Sequence, residues 1–515
     1  MNDILVLNLT RFGDLIQTTP QLRRLRAAYP QARITLVAQK RFSAVLPLMR
    51  DFDRVKLFDQ DELYRLMAID DNPVNGFAFL DRFMSELEQD HYDLVINLTA
   101  GRMSAYLVSL LNADQVAGIT SADTGQRVIS GAWGLYMYSF LLGDGRRYTR
   151  LNLVDIFSRM GGTEPDGMPV ELFETDAGKR FAESFLAREV PPGTRLIGIQ
   201  LGASESSRCW PAESFARLSD TLQASGDVRT VLLGSPAERS LADRVRSQMH
   251  RAPLDAVGRT NIEELFSLLR RCALLVTNDT GTMHFAAAGK TPVVMLAIGP
   301  ASLFCTGPYS AGNLALQPAL PCSPCRYTIN CPNPVCRDMV PVSAVHGACR
   351  MLLGEQVELQ PTFQGVRLYR SYFGTDGYLN WEALCNTDHD HEELSQRYTR
   401  LWKTALVPSP PPPGQSSPLL PELLSLTRQG LELTDQIEAA SRQTPLPVER
   451  IVSLGEQEAT VEAEIKALGV RIPAAAPLVD YLTLVRENIT ADEIQAVTAQ
   501  TRALYEQGVL LASLL

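Results

Sequence analysis

The sequence predicts an α/β protein of two similar halves followed by an α-helical extension. Three observations carry this reading. Short apolar runs alternate with amphipathic stretches twice, once from residue 4 and again from residue 196. Residues 188–194, REVPPGT, put a hinge-like break between the two sets. Beyond about residue 353 the alternation stops, and 419–515 are rich in Leu, Glu, Ala and Gln at helical spacing. A chain of 515 residues is too long for one core, and about three domains is the expectation at that length.

Taken in order, residues 4–9 read as a strand, 15–29 as a helix, 34–38 as a second strand and 94–97 as another. Pro20 falls early in the helical pattern, where its missing N–H is tolerated. A helix-rich stretch runs from 128 to 162; its most apolar part, 128–142, is glycine-interrupted and shorter than the roughly 20 residues of a membrane span. A buried or interfacial helix is expected there. The second set has strands at 196–200, 230–233, 273–276 and 293–297. Open α/β sheets bind ligands beyond the carboxyl ends of their strands, so both halves would present loops to a shared cleft. The expected boundaries are 1–188, 189–353 (with a cysteine-rich segment at 321–338), a connecting segment 354–407, the proline-rich spacer 408–418, PSPPPPGQSSP, and the helical extension 419–515.

Bulk properties narrow the function. Hydrophobic residues at 45% and charged residues at 21% are ordinary for a globular protein, and a net charge of −10 excludes a sequence-independent nucleic-acid binder. The opening MNDILVLNLTRFGD has no cationic stretch ahead of a long apolar one, so a cytoplasmic enzyme is expected.

The richest stretch is 272–300, CALLVTNDTGTMHFAAAGKTPVVMLAIGP. A strand breaks at Asn278-Asp279-Thr280-Gly281, a small-residue helix follows, then a second β-branched run. The turn offers backbone N–H groups, the hydroxyls of Thr280 and Thr282, and His284 at a helix N-terminus, where N–H groups and the helix dipole attract phosphate. Asp14, in LTRFGDLIQTTP, follows the first strand just before a helix; Gly13 permits tight passage and the adjacent N–H groups should keep the carboxylate ionised. It suits a general base or a plain helix cap. In IGIQLGASESSRCWPAESF a strand ends at Gly202-Ala203-Ser204, and Arg208 either neutralises a leaving phosphate or packs on Trp210. Glu238, in LLGSPAERSLADRV, binds a ribose hydroxyl or stabilises a helix start.

The cysteines Cys322, Cys325, Cys331 and Cys336 form C-x2-C-x5-C-x4-C, a set that either surrounds one zinc or iron ion or remains free thiols. Asp51-Phe52-Asp53 imitates a metal-binding DxD, but its polar-turn setting favours a loop role. Asp388, His389, Asp390 and His391 read as a helix-capping acidic run rather than a chelate. GxGxxG and GxxxxGK[ST] are both absent from the sequence, so dinucleotide and P-loop readings lack their fingerprints.

In order, RFGDLIQTTPQLRRLRAAYP, LGASESSRCWPAESF, VGRTNIEELFSLLRRCALLVTNDTGTMHFAAAGKTPVV and TGPYS resemble glycosyltransferase family 9, the ADP-heptose–lipopolysaccharide heptosyltransferases, over roughly 1–352. The resemblance implies a GT-B fold, two Rossmann-like domains facing a cleft, and inverting transfer that needs no metal. It puts the catalytic aspartate on Asp14, with Arg11 and Gly13 on the acceptor side. The donor site falls on Gly202, Ser204, Arg208, Glu238, Asp279, Thr280, Gly281 and His284. It implies ADP-heptose as donor and a glycolipid or protein acceptor, with peripheral contact at the inner face of the inner membrane. The cysteine cluster resembles a segment of some relatives, including protein-heptosylating members with an iron-binding finger. Alternatives are a GT-B transferase of another nucleotide sugar, a non-catalytic binding or assembly protein, and a nucleotide-sugar epimerase. The extension past 355 has no counterpart in the resemblance.

Overall fold

The computed structural model describes residues 1–69, 73–142, 144–203, 206–325, 331–406, 420–443, 446–491 and 493–515. The expected proline-rich spacer at 408–418 lies outside the described residues. The strands are β1 (Asp3–Asn8), β2 (Arg33–Gln39), β3 (Arg54–Phe58), β4 (Leu94–Asn97), β5 (Val116–Ser121), β6 (Arg127–Ser130), β7 (Arg195–Gln200), β8 (Val228–Leu233), β9 (Leu254–Asp255), β10 (Leu274–Asn278), β11 (Val293–Leu296), β12 (Leu314–Pro318), β13 (Val366–Phe373) and β14 (Leu379–Cys385). The chain divides into two compact units, one of Met1–Thr99, Leu111–Gln115 and Leu151–Asp388, the other of Ala100–Leu110, Val116–Arg150 and His389–Leu515.

The first unit holds two parallel α/β layers. Strands β3, β2, β1 and β4 lie side by side in that order, all parallel. Residues Ile4–Leu7 on β1 are fully buried, as a strand covered on both faces requires. Its helix pattern at 15–29 is realised as two pieces, Phe12–Gln17 and Thr19–Ala28, joined at Thr18 with Pro20 in the first turn of the second. The Pro20 ring and absent N–H allow a helix to start there but not to run through. The second layer runs β14-β13-β12-β11-β10-β7-β8-β9, parallel from β12 to β9 and antiparallel at β13 and β14. The stretch at 366–384 therefore extends this sheet as an edge hairpin, with Leu316 opposite Leu368. Its core joins Ile197, Val276, Leu296 and Leu316 to Trp210 and Phe215.

The second unit combines residues from 100–150 with those from 389 onward. The hairpin β5–β6, the helix Arg102–Ser109 and the helix Ala132–Leu142 pack with five helices from His389 onward. The Trp402 ring lies 5.1 Å from that of Tyr136 and 5.2 Å from Tyr481. Asn488 accepts the Ile129 N–H at 2.6 Å and donates to the Ile129 carbonyl at 2.9 Å, completing a strand-like pair of bonds on β6. Helices Pro421–Ser441 and Ile494–Leu514 pack so closely that a Cβ at Gly430 would fall 2.2 Å from the Tyr505 ring. Buried Glu458 accepts the Tyr505 hydroxyl at 2.8 Å and sits 3.5 Å from Arg486, the charge-pairing that a buried carboxylate needs. Among the described residues no single helix is long and apolar enough to cross a membrane, though the bent pair Val448–Arg471 and Pro473–Glu487 meets that test by length and composition.

Candidate active site

Several buried strands of the first unit end in an amide, and three of these amides hold the candidate site: Asn8 on β1, Gln200 on β7 and Asn278 on β10. Each amide fixes a loop that leaves its sheet. Asn8 Nδ2 donates to the Asp14 carbonyl at 3.2 Å and to Thr18 Oγ1 at 2.8 Å, while its Oδ1 accepts the Thr10 N–H at 3.1 Å. The Asp14 turn is thereby held on both sides. The Arg11 N–H donates to Asp14 Oδ2 at 3.2 Å, so the aspartate does cap its own helix, through the third helical residue rather than the cap position.

Burial pushes the Asp14 carboxyl above its ordinary 3.8, and bonds from the Arg11 N–H and the Thr10 hydroxyl, with the Arg11 charge, offset this only in part. The neighbouring N–H group lowers the pKa in the expected direction, and burial outweighs it. Desolvation wins, and a carboxylate with a raised pKa is the stronger base.

The Asp279–His284 turn sits directly against this loop. A Cβ on Gly13 would lie 2.8 Å from His284 Cδ2 and 3.6 Å from Gly281 Cα, so only glycine fits between them. The Phe12 and Phe285 rings, 6.5 Å apart, pack beneath the contact. His284 is buried with Nδ1 lacking a hydrogen-bond partner among the described residues, and burial drives its pKa down to about 4. It is a neutral imidazole with an open polar atom.

Gln200 and Asn278 tie this turn to the other predicted donor loops. Thr282 Oγ1 donates to Gln200 Oε1 at 3.0 Å, and Gln200 Nε2 donates to Glu238 Oε1 at 3.1 Å. Glu238 also caps its own 3-10 turn by accepting the Ser235 N–H at 2.5 Å, and it lies so close to Gly202 that a Cβ there would be 1.3 Å from Oε1. Asn278 Nδ2 donates to the carbonyls of Leu201 (3.0 Å) and Gly202 (3.2 Å), and Oδ1 accepts the Trp210 N–H at 3.1 Å. Arg208 is buried beside Gly299, whose added Cβ would stand 3.8 Å from Arg208 Cγ. The structure thus joins Arg11, Gly13, Asp14, Gly281 and His284 in one contact and Thr282, Glu238 and Gly202 in a second, linked through Gln200. Asp279 and Thr280 lie on the same turn, where the Thr277 and Thr280 hydroxyls are 3.3 Å apart. Ser204 lies outside the described residues. Asn8 and Gln200 were missed from the sequence, and Asn278 was read only as the start of its turn; the signal was an amide closing each apolar run, LVLN, IGIQ and LVTN.

The cysteine quartet converges without closing. Burial pushes the Cys325 thiol up to about 11, and neighbouring Cys322, Cys336 and Cys331 add to the rise. Four thiols suit zinc or iron by chemistry, but a tetrahedral site with metal–sulphur bonds of about 2.3 Å draws its sulphurs within about 4 Å of one another. Among the described residues, no three of these sulphurs lie within 4.8 Å of each other. As they stand the thiols do not form a closed metal site. Asp53 of the DxD look-alike accepts the Ile34 N–H at 2.7 Å and pairs with Arg26 at 2.6 Å, a structural role. Asp388 pairs with Arg367 at 3.3 Å ahead of the helix His389–Ala405.

Comparison with known proteins meets this geometry. Residues 80–334 match the model of glycosyltransferase family 9 (heptosyltransferase). Lipopolysaccharide heptosyltransferase 3 of Escherichia coli K12 is 28% identical over 296 residues, covering 55% of this chain and 79% of that protein. Lipooligosaccharide heptosyltransferase 2 of Haemophilus ducreyi is 24% identical, covering 60% and 86%. Among solved structures, a family 9 glycosyl transferase from Veillonella parvula aligns with a TM-score of 0.55 at 24% identity, covering 69% of this chain and 98% of that one. The ADP-heptose LPS heptosyltransferase II of E. coli aligns at 0.51 with 18% identity, covering 68% and 98%. The fold is GT-B, and the chain is a glycosyltransferase belonging to family 9, the heptosyltransferase family.

Proposed function

We propose that this protein transfers a heptose from ADP-heptose to a saccharide acceptor of the cell envelope, with inversion and without a catalytic metal. One observation carries the reading: the Asp14 turn and the Thr280–His284 turn meet at Gly13 with no room for another side chain. An acceptor hydroxyl placed at Asp14 would then stand beside a diphosphate seated on the second turn. Asp14 takes the hydroxyl proton as oxygen attacks the anomeric carbon, and the bond to the diphosphate breaks on the opposite face. The helix N-terminus at Gly281, the Thr280 and Thr282 hydroxyls and Arg208 stabilise charge developing on the leaving diphosphate. Glu238, oriented by Gln200, receives the donor ribose. In this reading residues 1–188 bind the acceptor and 189–353 the nucleotide sugar. The relatives' names supply heptose and the lipopolysaccharide core as first choices of sugar and acceptor. The cysteine quartet, by donor chemistry alone, is the candidate for a structural zinc or iron ion and takes no part in transfer.

The test is Asp14→Asn, assayed with ADP-heptose and a panel of UDP- and GDP-hexoses. Asp14→Asn should lower transfer by 100-fold or more, the scale of a lost general base, while ADP binding stays within about threefold. Full activity in that variant rules out the assignment. Turnover of a UDP- or GDP-hexose in place of ADP-heptose would redirect the donor, and turnover of none would favour a binding protein.

A further inference from the structure

We propose that Tyr309, Asp155 and Arg24 form a buried pin between the two sheets of the first unit, and that this pin positions the Asp14 turn for transfer. Only its effect on turnover rests on the transfer reading; the contacts that make the pin do not.

Tyr309 belongs to TGPYS and Arg24 to RFGDLIQTTPQLRRLRAAYP, two stretches that carry the family resemblance, yet neither is among the residues joined at the candidate site. Tyr309 sits in the loop between β11 and β12 of the second sheet. Arg24 is on the helix Thr19–Ala28, which continues from the Asp14 turn beside the first sheet. Asp155 is on the helix Leu153–Met160, which packs on that same helix. All three side chains are buried, those of Asp155 and Tyr309 completely.

The Tyr309 hydroxyl donates to Asp155 Oδ1 at 2.5 Å and stands 3.5 Å from Arg24 Nη2. Arg24 Nη2 also donates to Asp166 Oδ1 at 2.6 Å, and Nη1 donates to the Ser158 hydroxyl. Asp155 Oδ2 accepts the Leu379 N–H at 3.3 Å, where β14 begins. Burial, with the Asp155 charge beside it, pushes the Tyr309 hydroxyl far above its ordinary 10, so it keeps the proton it donates. A guanidinium and a carboxylate are tolerated in the interior only while paired, so sliding one sheet past the other would strand both charges. Apolar packing alone would allow that slip.

The backbone runs the same way. The Val170 N–H donates to the Tyr309 carbonyl and the Gly167 N–H to the Gly377 carbonyl, both at 3.1 Å. On the other side, Arg23 donates to the Pro169 carbonyl at 3.1 Å and the Glu171 N–H to Thr19 Oγ1 at 3.3 Å. The stretch 167–171 is thereby bonded to both halves.

Arg24 lies ten positions after Asp14, at most about 15 Å along a helix. Gly13, wedged against His284, and Arg24 are thus two anchors on one helical arm. An arm held only at Gly13 can pivot there, and the second anchor stops the pivot. With the pin cut, the Asp14 turn keeps its bonds to Asn8 but loses its fixed placement against the Asp279–His284 turn.

The experiment compares the full chain with Tyr309→Phe, Asp155→Asn and the double variant by hydrogen exchange, ADP calorimetry and steady-state transfer. Tyr309→Phe keeps the ring, 5.3 Å from that of Phe373, and removes only the hydroxyl. It should speed amide exchange over residues 9–19 about fivefold with β7 unchanged, and lower kcat about tenfold with ADP affinity within about twofold. Both substitutions cut one bond, so the double variant should match the slower single variant in kcat. Arg24→Lys keeps the charge but loses the fork that reaches Asp166 and Ser158 together; it should give the same pattern, and it decides the matter if Tyr309→Phe does not fold. Unchanged exchange over 9–19 overturns the pin. Equal acceleration in β7, or an ADP affinity that falls as far as kcat, overturns positioning in favour of general destabilisation. Faster exchange with unchanged kcat overturns the part in transfer, and multiplying effects in the double variant overturn the pairing. If no nucleotide sugar is turned over, or Asp14→Asn stays active, the transfer reading fails while the exchange result still decides the pin.

Discussion

His284 makes this fold measurably sensitive to mild acid. Its imidazole is buried and held neutral with a pKa of about 4, against 6.5 for an exposed histidine. Because the folded value is the lower, the unfolded chain binds more protons below pH 6.5, and stability falls as pH drops from there toward 4. Integrating between those two values puts the loss from this group at about 2 kcal/mol between pH 7 and pH 5, and about 3 kcal/mol below pH 4. Replacing the ring by an amide of similar reach, His284→Gln, removes the titration. Urea unfolding of wild type and variant at pH 7 and pH 5, at fixed salt, forms a four-corner cycle in which other acid-labile groups cancel. Wild type should lose about 2 kcal/mol more than the variant over that interval. Saturating ADP should shrink the difference, because a diphosphate beside the imidazole favours its protonated form. Equal losses in the two proteins would refute the placement of His284 as a buried neutral ring.

Other consequences follow from the same contacts. Gly13→Ala forces a Cβ to 2.8 Å from the His284 ring, whereas Gly281→Ala meets nothing nearer than 3.8 Å. The first should cost about 1–3 kcal/mol and most of the activity, the second little stability, as thermal midpoints will show. The nearest obstacle to Gly202→Ala is the Glu238 side chain, so the substitution should leave the midpoint within a few degrees yet raise the KM for donor by displacing that carboxylate. With the Asp14 carboxyl raised above 3.8, the acid limb of kcat should fall at a pH above that value. If the cysteine quartet closes on a metal, the purified protein should carry about one zinc or iron by elemental analysis, and Cys322→Ser with Cys331→Ser should remove it.

Much of this was legible in the sequence because the governing forces are local. The βαβ unit around 272–300 showed itself through an apolar strand, a polar break and a small-residue helix, and β10, the helix Gly281–Ala288 and β11 follow that order. Asp14 and the Thr280–His284 turn carried motif-level signals. What the sequence could not show was long-range. The edge hairpin β13–β14 lies beyond the last parallel strand, and its pairing with β12 depends on residues about 50 positions apart. The joining of 100–150 with the C-terminal helices combines apolar packing, Trp402 on Tyr136 and Leu484 against Ile119 and Ile129, with single amides and ion pairs such as Asn488 to Ile129 and Glu487 to Arg127 across roughly 360 positions. No periodicity reports such pairs. The sign of the Asp14 shift was hidden for the same reason: the N–H groups that lower it are neighbours in sequence, while the burial that raises it comes from the whole fold.

The strand-end amides explain how the turns of the proposed donor site are held rigid. A diphosphate leaving group needs positive potential that is in place before the bond breaks, since dipoles that reorganise during the reaction stabilise less. Here the donors are turn N–H groups and hydroxyls, each individually weak and free to rotate. Asn8, Gln200 and Asn278 remove that freedom, because each is buried at the end of a fixed strand and is bonded through both its nitrogen and its oxygen, Asn8 within the segment after β1, Asn278 within the segment after β7, and Gln200 between two loops. An amide bonded at both ends cannot flip without breaking two bonds in a dry environment, a cost of about 2–3 kcal/mol at roughly 1 kcal/mol or more each. Gln200 is the most exacting of the three: its oxygen must face Thr282 and its nitrogen Glu238, so one amide sets the orientation of a residue assigned to the phosphate and of one assigned to the ribose. A leucine of similar volume at that position would preserve the packing and free both loops, and the distance between Thr282 and Glu238 would no longer be fixed by a bond at either end.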